Sequence, residues 1–167
     1  MPRQIDYRST SPFTAEQVFG AMADPDYLRA RLQHLGGPGA ALLKHAAEDG
    51  GVRYTLRHGL DNDALPGIVQ SLVGGDLVIE RTESVRRDGA GYRGNVEVSV
   101  PGAPVAAAGT MTLRDAPGGS EFAVRAEVTV RVPLVGGRIE ATIGEQVQRL
   151  LAAETEFTRT WLSGRPD

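Results

Sequence analysis

The sequence predicts an α+β protein in which an antiparallel sheet of about seven strands wraps around one long C-terminal helix. Two observations carry this expectation. Residues 41–132 read as three consecutive hairpins whose arms have matching apolar faces. Residues 137–162 read as one long amphipathic helix. A sheet with one apolar face needs a cover, and this helix is the segment long enough to supply it.

The elements follow in order. Residues 3–10 alternate weakly, as an edge strand does. Thr14 and Gln17 have capping-box spacing, and Phe13 is placed to staple onto Val18, so a helix starts there. Asp24-Pro25 starts a second helix with a capping Asp and Pro in the first turn, and Gly36-Gly37 ends it. The first hairpin has arms near 41–47 and 52–58 around Glu48-Asp49-Gly50-Gly51. Its register is expected to pair His45 with Tyr54, Leu43 with Leu56 and Ala41 with His58. Leu43, His45, Val52, Tyr54, Leu56 and His58 then share one face.

The second hairpin has arms near 77–86 and 92–100 around Asp88-Gly89-Ala90-Gly91. Leu77, Ile79, Arg81, Glu83 and Val85 alternate in phase with its apolar side, opposite Tyr92, Val96, Val98 and Val100. The third has arms near 105–113 and 122–132 around residues 115–119, with Val105, Ala107, Met111 and Leu113 facing Phe122, Val124, Ala126, Val128 and Val130. Residues 60–75 do not alternate. They read as a loop with a short helix after Pro66, and a loop of that length is expected to gate any cavity. On the final helix, Ile139, Ile143, Val147, Leu150, Phe157 and Trp161 lie within about 40° either side of one line. Glu154 falls in the middle of that stripe. Trp161, near the chain end, is expected to seal the helix onto the sheet, and full burial there would make its loss cost about 3–5 kcal/mol.

Composition narrows the function classes. The 167 residues suit a single domain spanning 1–167. Hydrophobic residues are 41% and charged residues 23%, ordinary for a soluble globular chain. A net charge of -3 argues against nucleic acid as a partner. The lack of cysteine excludes disulfides, thiolate metal sites and a cysteine nucleophile, and fits a reducing cytoplasm. No run approaches the roughly 20 apolar residues of a membrane helix, so no membrane insertion is expected. Residues 1–7 lack the pattern of a signal peptide.

Two stretches resemble a known superfamily. Ser11-Pro12-Phe13-Thr14-Ala15-Glu16-Gln17-Val18-Phe19 followed by Ala23-Asp24-Pro25-Asp26-Tyr27-Leu28 is similar to the opening of the START-like and birch-pollen-allergen-like (SRPBCC) superfamily. Val132-Pro133-Leu134-Val135-Gly136-Gly137-Arg138-Ile139-Glu140, leading to Phe157 and Trp161-Leu162, resembles the end of one bacterial branch of unknown function. The resemblance covers nearly the whole chain. It implies the helix-grip fold, a curved sheet gripping the last helix with a cavity between them. It implies no single function, because this fold hosts binders, cyclases and chaperone activators. The residues agree with a cavity in one respect: small side chains (Gly94, Ala107, Gly109, Ala126) recur on the expected concave face.

The candidate ligand-binding set is Tyr54, Leu56, His58, Arg81, Glu83, Val96, Val98, Met111, Phe122, Val124, Val147, Glu154 and Phe157. No catalytic residue, cofactor or metal is assigned. A carboxylate inside an apolar stripe is costly unless paired or protonated. Glu154 is therefore a polar anchor for a ligand, half of an ion pair with Arg81, or a residue that meets solvent at the cavity mouth. Arg81 and Glu83 point inward if the strand phase holds, and a bulge near Gly91 or Gly94 would turn them outward. His45 and His58 flank Tyr54 without a completing ligand set, which favours core or rim histidines over a metal or acid–base pair. Gly36-Gly37-Pro38-Gly39 lacks the Lys-Ser/Thr ending of a phosphate loop. The leading expectation is a binder of a small hydrophobic or amphipathic molecule: a lipid, fatty acid or polyketide-like metabolite. The alternatives are a cyclase or dehydratase using Glu154, His58 or Tyr54 as acid or base, and a ligand-free protein-interaction module.

Overall fold

The computed structural model describes residues 2–61, 63, 67–70 and 76–164, with the side chains of 68 and 69 outside the described set. The chain runs β1 (Arg3–Ser11), α1 (Ala15–Ala23), α2 (Pro25–Leu35), β2 (Ala41–Glu48), β3 (Gly51–Leu60), α3 (Gly67–Gln70), β4 (Leu77–Asp88), β5 (Gly91–Ser99), β6 (Val105–Ala116), β7 (Gly119–Val130) and α4 (Gly136–Ser163). The strands form one antiparallel sheet in the order β1-β7-β6-β5-β4-β3-β2. Its curve closes on α4, which makes the architecture an α+β helix-grip.

Local chemistry explains the helix starts. Thr14 Oγ1 accepts from Gln17 N at 3.2 Å, and Gln17 Oε1 accepts from Thr14 N at 2.9 Å, a complete capping box. Asp24 caps α2 through Asp26 N at 2.9 Å, with Pro25 in the first turn. Helix α3 begins just after Pro66, as expected; residues 62, 64–66 and 71–75 of the expected gate lie outside the described residues.

Hairpin registers agree with the sequence patterns except at Leu43. His45 pairs with Tyr54, but Leu42, not Leu43, pairs with Leu56, and Ala41 pairs with Arg57, not His58. The register shifts between Leu42 and Lys44, so Leu43 is the extra residue of a bulge and its side chain is 40% exposed. Strict alternation cannot anticipate such an insertion. The third hairpin turns more tightly than expected, with Ala116 already paired to Gly119. Its two apolar faces oppose each other as anticipated, in the register Val105 to Val130, Met111 to Val124 and Leu113 to Phe122.

The core divides along α4. One cluster gathers Ile5, Val128, Val130 and Ile139 at the start of the helix. The other, larger cluster includes Tyr27, Leu28, Leu32, Tyr54, Leu56, Met111 and Leu151, with Phe157 and Trp161 packed against it. Between Gly144 and Leu151 no residue of the helix is buried. Polar contacts fix both ends of this span. Glu140 Oε2 accepts from Val130 N at 2.8 Å, Tyr7 Oη meets Thr155 Oγ1 at 2.8 Å, and Tyr27 Oη meets Thr158 Oγ1 at 2.5 Å. Among the described residues no helix is long and apolar enough to cross a membrane.

Trp161 is half-buried, with its ring edge-on to Tyr27 at 5.6 Å. Its cost of removal should therefore fall below the value for full burial. Trp161→Ala should lower stability by about 2–3 kcal/mol in a urea melt. A loss under about 1 kcal/mol would show that the last turns of α4 contribute little.

Candidate functional site

A cavity of about 490 Å³ lies between the concave face of the sheet and the middle of α4. Its walls are mostly aliphatic. Ile79 on β4, Val96 and Val98 on β5, Val100 just beyond it, Ala107 and Met111 on β6, and Val124, Ala126 and Val128 on β7 face Ile143, Val147 and Leu150 on α4. Antiparallel alternation places these strand residues on one face. The small residues leave the space: Ala107 sits between Val98 and Val128, and Ala126 lines the wall on β7. At the end of β3, Gly59 N donates to Gly36 O at 2.8 Å. A Cβ on Gly37, whose φ is +77, would lie 1.9 Å from Gly59 O, so this approach requires glycine.

The structure brings His58, Arg81, Glu83, Val96, Val98, Met111, Phe122, Val124 and Val147 of the candidate set into the cavity wall. Tyr54 and Leu56 are fully buried in the larger core cluster instead. Phe157 packs against Tyr27 and Trp161, away from the wall. Glu154 lies behind the wall, in a minor void of about 50 Å³ that it shares with Arg31, Arg81 and Glu83.

Arg81 and Glu83 point inward because β4 and β5 pair without a shift from Glu80–Ser99 to Asp88–Gly91. Arg81 donates from Nη1 and Nη2 to Glu154 Oε2 and Oε1 at 2.8 and 3.0 Å, a bidentate pair. Its Nε lies 3.0 Å from Glu83 Oε1. A second guanidinium completes the group: Arg31 Nε is 3.7 Å from Glu154 Oε2, and Arg31 Nη2 is 3.9 Å from Glu83 Oε1. All four residues are buried. Two cations and two anions from α2, β4 and α4 thus form one neutral cluster.

Arg31 is not among the candidate residues. Its signal is the spacing Tyr27, Leu28, Arg31, Leu32, which places it on the buried face of α2. Glu140 escapes the sequence reading in the same way; it lies beside Ile139, and its carboxylate serves the end of β7.

Protonation follows from this geometry. Burial alone would raise the Glu154 carboxyl, but Arg31 and Arg81 outweigh it and hold it at about 2. Burial, then Glu83, raises Tyr54 well above the usual phenol range. His58 is lowered to about 4, first by burial and then by Arg81. Tyr54 Oη and His58 Nε2 are buried without a hydrogen-bond partner. His45, by contrast, is occupied: its Nε2 lies 2.8 Å from Ala23 O. Among the described residues no group of three or more histidine, aspartate or glutamate side chains is arranged to hold a metal ion.

Comparison with known proteins agrees with this architecture. The family described as "Protein of unknown function (DUF2505)" matches residues 6–162. The uncharacterized protein Rv0481c of Mycobacterium tuberculosis is 30% identical over 171 residues, covering 98% of each chain. Among solved structures, TTHA0849 from Thermus thermophilus has a TM-score of 0.63 at 13% identity, over 96% of this chain and 97% of that one. Ara h 8.0201 has a TM-score of 0.61 at 12% identity, over 99% and 100% of the two chains. These structural likenesses, at 12 and 13% identity, carry the fold alone.

Two measurements test the cluster. Glu154→Gln leaves two buried guanidiniums facing Glu83 alone and should destabilise by about 3–5 kcal/mol in a denaturant melt; a change under about 1 kcal/mol would show that the pairing does not hold α4. The second concerns acid. Between pH 6.5 and about 4 the unfolded chain protonates His58 and the folded chain does not, so stability falls as pH drops through that window. Glu154 adds a loss of the same sign as pH falls from 4.5 toward about 2. Denaturant melts at pH 7 and pH 4 should show His58→Gln losing less stability than wild type, by up to about 3 kcal/mol. Equal losses would place His58 in water.

Proposed function

The chain belongs to the DUF2505 family, and from its geometry we propose that it binds a small hydrophobic or amphipathic molecule in the cavity between the sheet and α4. The observation that carries this reading is an aliphatic-walled cavity of about 490 Å³, within the roughly 300–1,000 Å³ typical of small-molecule sites. A lipid or a polyketide-like metabolite has the matching chemistry, and residues 1–167 act as one ligand-binding domain in the cytoplasm. Burial of an apolar molecule there gains roughly 25 cal/mol for each Å² removed from water.

An acid–base enzyme on the same scaffold has less support. Glu154 is committed to two guanidiniums behind the wall, and Tyr54 is fully buried in the core. Of the three candidate acid–base residues Glu154, His58 and Tyr54, His58 is the one in the cavity wall.

Ala107→Trp tests the binding reading, because it fills the cavity from its sheet wall. The variant should melt within about 1 kcal/mol of wild type or above it, and should lose binding of the neutral fluorophore N-phenyl-1-naphthylamine. A variant that binds the fluorophore as wild type does would place the binding site elsewhere.

A further inference from the structure

We infer that the cavity's occupant is uncharged and sets a hydroxyl or carbonyl oxygen against His58. This rests on the binding reading above and narrows it. His58 lines the cavity, is 7% exposed, and its Nε2 has no hydrogen-bond partner. A buried ring nitrogen without a partner is costly, and native structures seldom leave one so. Its cross-strand neighbour is Ile79, and Arg81 beside it is bound to Glu154 and Glu83, so an occupant of the cavity can bring the missing partner.

Charge balance decides which polar group fits. Arg81 is the charged donor in the wall beside His58, and both of its faces are taken, by Glu154 and Glu83. Arg31 behind it is shared between the same two carboxylates, so the four charges cancel. A carboxylate placed at His58 would therefore add an unbalanced negative charge near Glu83 and Glu154, with Arg81 already bound to both. Arg149, the other arginine of the wall, is exposed to solvent, where an ion pair gains little. The imidazole itself is neutral at pH 7, because burial and Arg81 disfavour its protonation. A neutral imidazole presents one donor and one acceptor nitrogen. It matches an alcohol in either direction and a ketone or ester as donor. The chemistry selected is a neutral lipid alcohol, ketone or ester, not a fatty-acid anion.

The test displaces N-phenyl-1-naphthylamine with a matched pair, decan-1-ol and decanoate, at pH 7.5. Wild type should bind the alcohol at least about tenfold more tightly than the carboxylate. His58→Leu should weaken decan-1-ol by about tenfold relative to its effect on the fluorophore, while His58→Gln, which keeps a donor and an acceptor, should stay within about threefold of wild type for decan-1-ol. Decanoate binding as tightly as decan-1-ol to wild type overturns the inference even if the variants fail to fold. So does a folded His58→Leu that binds decan-1-ol as wild type does. Failure of wild type to bind the fluorophore at all overturns the binding reading itself, and this inference with it.

Discussion

Arg81 and Glu154 meet face to face inside the protein, and the position of the last helix depends on that contact. Taking four charges out of water costs several kcal/mol for each ion, and close, shared geometry is what offsets it. Here each carboxylate faces two guanidiniums and each guanidinium two carboxylates. The cluster joins α2, β4 and α4, three elements far apart in sequence. An apolar contact tolerates sliding, whereas a bidentate pair fixes distance and orientation. The register of α4 against the sheet is thereby specified.

The open middle follows from the fixed ends. Glu140 ties the start of α4 to the last residue of β7, and the charge cluster with Tyr7 and Tyr27 ties its second half. A continuous helix is stiff, so between these anchors it bridges the hollow of the curved sheet. Ala107 and Ala126 do not fill the gap from below, and Ile143, Val147 and Leu150 do not fill it from above. Tight packing therefore sits at the two ends of the helix, where the two core clusters lie. The cavity lies between the clusters, in the way a ligand site is preserved without loss of a specific fold.

Period-two alternation in the hairpins and the single long amphipathic segment made the fold legible in the sequence, down to the residues of β6 and β7 that share the apolar face. The bulge at Leu43 was not legible, because an inserted residue leaves the local composition unchanged. The inward aim of Arg81 and Glu83 could be stated only conditionally, since it hangs on an unbroken register from Glu80 to Asp88. Glu154 stood out as a carboxylate in an apolar stripe, and its link to Arg81 was one of the stated alternatives. Arg31 was harder to see, because arginine on a helix usually covers apolar surface with its stem and keeps its charge in water. Tyr54 and Leu56 show the remaining limit. A shared face tells which side of the sheet a residue lies on, not whether the cavity or a helix covers it there.

The central claim is physical: pins at both ends hold α4 off the sheet and leave a largely apolar space. Xenon enters such spaces, because it needs only an apolar void of sufficient size. A crystal of the protein pressurised with xenon tests the claim directly. The account predicts xenon density between Ala107, Ala126 and Val147, with Arg81 still paired to Glu154. A helix lying against β6 and β7 with no xenon between them would contradict it.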